Sequence, residues 1–233
     1  MSKHCPVYGT VLYLDCLECE EQYCKKDKTM KNKIVIGIDQ SYKDTGISVA
    51  YNGELKSVTE CLPKTTMNNS ERRTLLRNQL HEIFVKMFMK SQKENAEIVC
   101  IIERIRLQSD GFINIDYIKG IGALNAMIVD EAAKFNIPVY SVDTRAWKTS
   151  VVGTAKPKQN KYGIDPKKWP TILWCISKGY KDHIINYDVG KRKKGIIENP
   201  KTNERYTYND NKADSICICL YGFKTNQKLK EEH

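Results

Sequence analysis

The stretch Ile34-Val-Ile-Gly-Ile-Asp-Gln-Ser-Tyr-Lys-Asp-Thr-Gly-Ile-Ser-Val-Ala50 decides how this chain folds. Its β-branched run from Ile34 to Ile38 predicts a buried strand that ends at Asp39. Turn-forming residues follow, and the alternation from Ile47 to Tyr51 predicts a strand that returns antiparallel to the first. A carboxylate at the end of a buried strand is costly without a cationic partner. The stretch therefore predicts a cation beside Asp39, and a divalent metal ion suits an oxygen ligand.

The rest of the chain extends this hairpin into one α/β domain. The Asn52-Gly53 turn predicts a third antiparallel strand to Leu62, and apolar residues at helical spacing predict a helix that ends near Lys93. Further patterns predict strands at 97–102 and 137–142, and helices at 116–134, 169–178 and 210–223. The sum is a five-stranded mixed sheet, with three antiparallel and two parallel strands, flanked by helices.

Composition divides the 233 residues into unequal parts. Residues 1–30 form a cysteine-rich segment, residues 33–225 contain the predicted α/β domain, and residues 226–233 form a polar tail. Inside the domain, residues 183–209 are dense in Lys, Arg, Gly and Asn, which predicts an insertion. Residues 144–168 are basic and contain glycine, which predicts a functional loop.

The formal net charge of +10 is unusual for a soluble protein. It predicts a polyanionic partner such as nucleic acid, and the alternative is a charge that serves solubility alone. No apolar run approaches the roughly 20 residues of a membrane span, and the N-terminus lacks the apolar segment of a signal peptide. We therefore expect a cytoplasmic protein with no membrane partner. In that reducing compartment the nine cysteines are not expected to form disulfides.

Four of the cysteines crowd into the first 24 residues: Cys5, Cys16, Cys19 and Cys24. The C-x2-C spacing of the middle pair is typical of zinc sites, and so short a segment has few apolar residues with which to fold unaided. Two interpretations stay open: one structural zinc ion held by these four thiols, or free thiols on a flexible arm. The other five cysteines lie in or beside apolar runs, which predicts small buried core residues.

Acidic residues are placed to meet at one edge of the predicted sheet. Asp39 and Glu103 each end an apolar strand, and Asp214 lies near the start of the last helix. Asp210 lies one turn before Asp214, although capping the helix is an alternative role for it. Clustered carboxylates repel one another unless cations neutralise them, and oxygen ligands favour Mg²⁺ or Mn²⁺. The pattern predicts a divalent-metal site at this edge.

Four short motifs resemble those of the RuvC-type Holliday junction resolvases, in that family's order. The segment from Gly37 to Gly46 resembles the first motif, and Ile101-Ile-Glu103 resembles the second. The basic stretch from Asp143 to Lys156 resembles the family's DNA-contacting stretch, and Ala213-Asp214-Ser215-Ile216 resembles the last acidic motif. The resemblance covers residues 34–223. It implies a ribonuclease H-like fold, a homodimer, and symmetric cleavage of branched DNA with two divalent metal ions per active site.

The resemblance also implies roles for the acidic residues. Asp39 would bridge the two metal ions, and Glu103 and Asp214 would hold one each. The family commonly has a His or Asp three residues before its last Asp, where this chain has Asn211. Asp210 is then the candidate for the fourth ligand.

DNA contacts are expected outside the acidic cluster. The family carries an aromatic residue that probes the centre of the junction, and Phe112 is the candidate here, unless it is simply part of the core. Lysines and arginines of the basic loop are expected to bind phosphates without reading sequence. These residues are Arg145, Lys148, Lys156 and Lys158.

Three rival functions follow from the same features. One is a ribonuclease H-like nuclease on structured RNA, and another is a catalytically inactive module that binds branched DNA. A sugar-kinase or actin-like ATPase also begins with a similar hairpin, but this chain is too short for its duplicated domain and lacks its further glycine-rich loops. The expected setting of the resolvase is recombination, or phage or mobile-element DNA processing, in a bacterial or phage-infected cell.

Overall fold

The structure, a computed structural model, describes residues 2–5, 9–12, 32–104, 115–187, 195–198, 202–224 and 230–231. It separates into two compact units, Met1–Asn32 and Lys33–His233. In the first unit, β1 (Ser2–Cys5) and β2 (Gly9–Leu12) pair antiparallel. Three of the predicted zinc ligands lie outside the described residues, and the fourth is described only in its backbone, so the zinc site stays a prediction.

The second unit is built on a mixed sheet. Its antiparallel strands are β3 (Lys33–Asp39), β4 (Thr45–Tyr51) and β5 (Glu54–Cys61). Two strands run parallel to β3, namely β6 (Glu97–Glu103) and β7 (Val139–Val142). The predicted five-stranded mixed sheet is confirmed. A two-residue strand outside that prediction, at Lys230–Glu231, adds an antiparallel edge beside β7.

Helices cover both faces of this sheet. One face carries α1 (Asn69–Glu94) and α2 (Ile115–Ala133). On the other face, α3 (Thr144–Trp147) continues into a π-helical turn over Lys148–Val152, and is followed by α4 (Trp169–Ser177), α5 (Lys181–Ile184) and α6 (Asp210–Lys224). The first part of the predicted functional loop at 144–168 is therefore helical. None of the helices that the structure describes is long and apolar enough to cross a membrane.

Alternate residues of β3 belong to two different cores. Ile34, Ile36 and Ile38 pack with α1 and α2, whereas Val35 packs with α6 and α4. All four side chains are fully buried. Because helices cover both faces, the strand has no polar side chain from Ile34 to Ile38, rather than alternating apolar and polar residues. The five cysteines outside the N-terminal segment are buried in these cores, as predicted.

Gly37 allows α6 to lie directly on β3. A Cβ atom at Gly37 would lie 2.4 Å from the backbone nitrogen of Cys219. The same close packing brings the Cys219 thiol to 3.1 Å from the Val35 carbonyl, and the Ser48 hydroxyl to 2.7 Å from that of Ser215. The position of α6 on the sheet therefore depends on the absence of a side chain here.

We expect Gly37→Ala to lower the free energy of unfolding by about 3 kcal/mol, because the helix must move away from the strand to admit a methyl group. Gly122→Ala is the matched control, since a Cβ atom there would meet nothing within 4 Å and alanine favours the helix. Urea denaturation of both variants measures the difference. Equal stability of the two variants would contradict this account of the packing.

The predicted insertion contains a second, smaller sheet. Its strands are β8 (Ile185–Asn186), β9 (Ile197–Glu198) and β10 (Arg205–Tyr208). The last of these lies between the other two and pairs antiparallel with both. Its C-terminal end leads through Asn209 into α6, so the small sheet is joined directly to the helix that carries Asp210 and Asp214.

Candidate active site

Asp39 and Glu103 end two neighbouring parallel strands. Ile38 pairs with Ile102 in the register of β3 and β6, and the next residue of each strand is one of the two acids. Gln40 ties the strand ends together. Its side-chain amide donates to the Glu103 carbonyl at 2.5 Å and accepts from the Glu103 backbone N–H at 3.2 Å. Both acids thus lie at one edge of the sheet, held by a residue that the sequence pattern did not single out.

α6 brings two more acids to this edge, together with a lysine. Asp214 is only 2% exposed, and its Oδ2 lies 2.8 Å from the Nζ of Lys168. The same ammonium lies 3.3 Å from Oδ2 of Asp210. Lys168 precedes the first residue of α4 and was not among the predicted site residues. Its ammonium places a positive charge beside these two carboxylates, and the divalent metal ion predicted beside Asp39 stays a prediction.

Burial and neighbouring charges shift the pKa values of the groups in this cluster. Burial raises the pKa of Asp39 well above its ordinary value, and the charges of Asp214, Glu103 and Asp210 add to this, while Lys168 opposes it. Burial alone would lower the pKa of Lys168, but the neighbouring carboxylates outweigh burial and raise it. The four acids and the lysine therefore form one electrostatic cluster, in which the lysine stays charged.

Glu103 is oriented by two neighbours from α3. The Thr144 hydroxyl donates to its Oε1, and the Trp147 indole N–H donates to its Oε2 at 3.4 Å. Burial raises the pKa of Glu103, whereas the Thr144 hydrogen bond lowers it by favouring the charged form. Trp147 is fully buried, so it packs and positions Glu103.

Asn209, and not Asp210, caps α6. The Asn209 Oδ1 accepts from the Lys212 backbone N–H at 2.9 Å, which is the contact of a helix N-cap. The alternative role of Asp210 as the cap is therefore wrong. Its carboxylate is directed to Lys168 instead, which leaves Asp210 within the acidic cluster.

A second pair of acids holds the start of α6 in place. The Asn209 amide donates to Asp44 at 3.2 Å and to Glu60 at 2.5 Å, and the Lys212 ammonium pairs with Glu60 at 2.9 Å. The Asn211 amide donates to the Asp44 carbonyl at 2.8 Å. Asn211, at the family's usual ligand position, thus contacts the β3–β4 hairpin and not the acidic cluster.

This second pair predicts a pH dependence of stability. Burial, a hydrogen bond with Glu60 and the charge of Glu60 raise the pKa of Asp44 from 3.8 to about 7. Because the pKa is higher in the folded state, protonated Asp44 stabilises the fold fully below about pH 4, and this contribution is lost as the pH rises through about 7. We expect the free energy of unfolding of the wild type, relative to Asp44→Asn, to fall across that window and then level off. Denaturation at a series of pH values measures this difference. A difference that stays constant with pH would contradict the raised pKa of Asp44.

The predicted DNA-contacting residues fall into two groups. Arg145, Lys156 and Lys158 are exposed, as phosphate contacts must be. Lys148 is only 9% exposed, and its ammonium donates to the Lys167 carbonyl at 3.2 Å, so in this structure it lies inside the protein, where its charge lowers the pKa of Glu103. Phe112 lies outside the described residues.

The cluster fits a divalent metal ion by residue type. Asp214 has a buried Oδ1 with no hydrogen-bond partner, and its neighbours Asp39, Glu103 and Asp210 offer only carboxylate oxygens. In the arrangement seen here, no group of three His, Cys, Asp or Glu among the described residues could hold a metal ion. The positive charge comes from Lys168, so a metal ion would have to share or take the place of this ammonium.

Comparison with solved structures places the fold. The structure of Thermus thermophilus RuvC has a TM-score of 0.50 at 13% identity, covering 85% of this chain and 99% of that one. T. thermophilus RuvC in complex with a Holliday junction substrate has a TM-score of 0.47 at 12% identity, covering 81% of this chain and 90% of that one. The yeast mitochondrial Holliday junction resolvase Ydc2 has a TM-score of 0.41 at 16% identity, covering 85% of this chain and 80% of that one. No family model matches the chain, nor does any curated protein sequence. The fold is RuvC-like, of the ribonuclease H-like class.

Proposed function

We propose that this protein is a metal-dependent endonuclease that cuts four-way DNA junctions. The observation that carries the proposal is the cluster of Asp39, Glu103, Asp214 and Asp210 at one edge of a RuvC-like sheet. The order of the sequence motifs supports the same reading. The net charge of +10 suits a polyanionic substrate.

Each acidic residue would have a defined task in this reaction. Asp39, Glu103 and Asp214 would hold Mg²⁺ or Mn²⁺, with Asp210 as a fourth ligand. When bound, two such ions activate a water molecule and stabilise the charge on the phosphate that is cut. Thr144 and Trp147 keep the Glu103 carboxylate in one orientation, which matters because misplaced ligands lose catalytic power.

Lys168 adds a positive charge where the scissile phosphate would arrive. Its side chain is 31% exposed, so part of it reaches the solvent beside the cluster. An incoming phosphate would offer it an anionic partner in place of Asp214. The exposed Arg145, Lys156 and Lys158 would hold the DNA backbone further away, and binding should weaken as salt concentration rises.

A homodimer is part of the proposal, because symmetric cutting of two strands requires two active sites. α2 carries small residues on one side, which makes it one candidate interface, with packing on the sheet as the alternative use of that side. One of them, Gly120, faces Tyr42 within the same chain, since a Cβ atom there would lie 2.9 Å from the tyrosine ring. At Gly120 this helix therefore packs within the protomer, whereas a Cβ atom at Gly122 would meet nothing within 4 Å. Light scattering of the free and the junction-bound protein tests the proposed dimer.

A second function, an inactive module that binds branched DNA, is favoured by one observation. Lys168 already neutralises part of the acidic cluster, and no three-ligand group stands ready among the described residues. Calorimetric titration with Mg²⁺ separates the two proposals. Saturable binding heat in the wild type that disappears in Asp39→Asn supports the nuclease. Absence of binding heat in the wild type supports the binding module.

Incubation of the purified protein with labelled nucleic acids and Mg²⁺ tests the proposed activity. The substrates are a synthetic four-way junction, a linear DNA duplex of the same arm sequence, and an RNA duplex. We expect paired, symmetric cuts in the junction and little cleavage of the linear DNA. Preferential cleavage of the RNA would replace the proposal with a ribonuclease H-like activity on structured RNA.

A further inference from the structure

Five aromatic rings form a continuous row from the small sheet to α4. Successive ring centroids are 6.3 Å apart for Tyr187 and Tyr206, and 5.6 Å apart for Tyr206 and Tyr208. The row continues to Trp169 at 6.5 Å and then to Tyr162 at 5.6 Å. Tyr208 and Trp169 are buried, while Tyr187 is 63% exposed. The middle of the row is therefore buried, whereas its end at Tyr187 is an exposed ring.

Two lysines lie against this row. The Lys181 ammonium is 5.5 Å from the ring centroid of Tyr206, and the Lys161 ammonium is 5.3 Å from that of Tyr162. Both lysines are exposed. Cations placed over ring faces are held there by the ring quadrupole, so positive charge is fixed beside the aromatic surface.

The row is close to the acidic cluster along the chain at two points. Trp169 directly follows Lys168, and Tyr208 lies two residues before Asp210. Tyr206 is four residues before Asp210, so their Cα atoms are at most about 13 Å apart, the length of four residues of extended strand. A nucleic acid strand whose phosphate reached the cluster would therefore have its next few nucleotides within reach of the row.

We propose that Tyr187, supported by Tyr206 and Lys181, binds an unpaired nucleotide by stacking on its base. The inference rests on the proposed function and extends it to a contact outside the resolvase motifs. The T-shaped contact with Tyr206 covers no more than one face of the Tyr187 ring, so a base can stack on the other. Proteins that bind single strands without sequence preference commonly combine aromatic rings, which stack on the bases, with basic side chains, which contact the backbone.

Fluorescence of 2-aminopurine tests the stacking directly. The probe is a short oligothymidylate with one internal 2-aminopurine, without added divalent metal, so that cleavage plays no part. We expect the wild type to quench the probe, and Tyr187→Ala to lose the quenching and to bind about tenfold more weakly. Tyr187→Phe should retain both properties. Met89→Ala is the matched control, because Met89 is 66% exposed on α1, on the opposite face of the main sheet.

The outcomes separate this inference from the proposed nuclease. Absence of quenching by the wild type, or unchanged binding by Tyr187→Ala, would overturn the stacking role even in a protein that cuts junctions. Equal loss of affinity for a fully paired duplex would overturn the assignment to unpaired bases. Quenching that depends on position 187 would stand even if the protein cut no junction, in which case the proposed activity alone would fail.

Discussion

Asp39→Asn is expected to bind a four-way junction normally but to cut it at least about a thousandfold more slowly in Mg²⁺. Asparagine has the shape of aspartate without its negative charge. It therefore cannot neutralise the positive charge of a metal ion bound at the end of β3. Affinity for DNA should persist, because it comes mainly from lysine and arginine contacts with phosphates. Gel-based cleavage and fluorescence anisotropy measure the two properties separately.

The fold of this variant should survive. Burial and neighbouring acids already raise the pKa of Asp39, so a neutral side chain there relieves repulsion within the cluster. Loss of activity would then not reflect unfolding, and a thermal melt checks this. Asp130→Asn, which removes an exposed carboxylate from α2, is the control and should cut at the wild-type rate. Cleavage by Asp39→Asn within a few-fold of wild type would contradict the metal-site proposal.

Replacement of each of the other three acids should reduce cleavage in proportion to how firmly the structure holds its side chain. Glu103 ends a strand and accepts hydrogen bonds on both oxygens, and Asp214 is buried within α6. Asp210 is the first residue of α6, and its side chain is 43% exposed. Its contribution should accordingly be the smallest of the four.

The sequence was sufficient to predict the sheet edge that carries the acids. A continuous apolar run indicates a strand covered on both faces, and a parallel neighbour of similar composition places its last residue beside Asp39. The short connections between the first three strands and the helices between the later ones indicate which pairs run antiparallel and which parallel, whereas the register comes from the structure. The meeting of Asp39 and Glu103 at one edge is a consequence of these regular patterns.

The lysine in the cluster could not be predicted in the same way. Lys167 and Lys168 are adjacent and chemically identical, yet Lys167 is exposed and Lys168 contacts an acid 46 positions away. Only the start of α4 at Trp169 decides which of the two points inward. Likewise, the burial of Lys148 and the contacts of Asn209 and Asn211 depend on tertiary packing, which has no periodic signal in the sequence.

Lys168→Met should destabilise the protein by about 3 kcal/mol at neutral pH without divalent metal. The substitution keeps the length of the side chain but leaves Asp214, which is almost fully buried, without its ion-pair partner. Urea denaturation in the presence of a chelator measures the loss. Lys167→Met is the matched control, because the Lys167 side chain is exposed. The backbone carbonyl of Lys167, which accepts a hydrogen bond from Lys148, is kept in this variant.

Addition of Mg²⁺ to Lys168→Met tests whether the acidic cluster binds a divalent metal ion. If these carboxylates bind a divalent ion, Mg²⁺ should restore stability to Lys168→Met and stabilise it more than it stabilises the wild type, in which the ammonium competes for the same oxygens. The control variant should respond to Mg²⁺ as the wild type does. Failure of Mg²⁺ to stabilise Lys168→Met would mean that the lysine is the permanent cation of this cluster. The DNA-binding module would then be the better account of the protein.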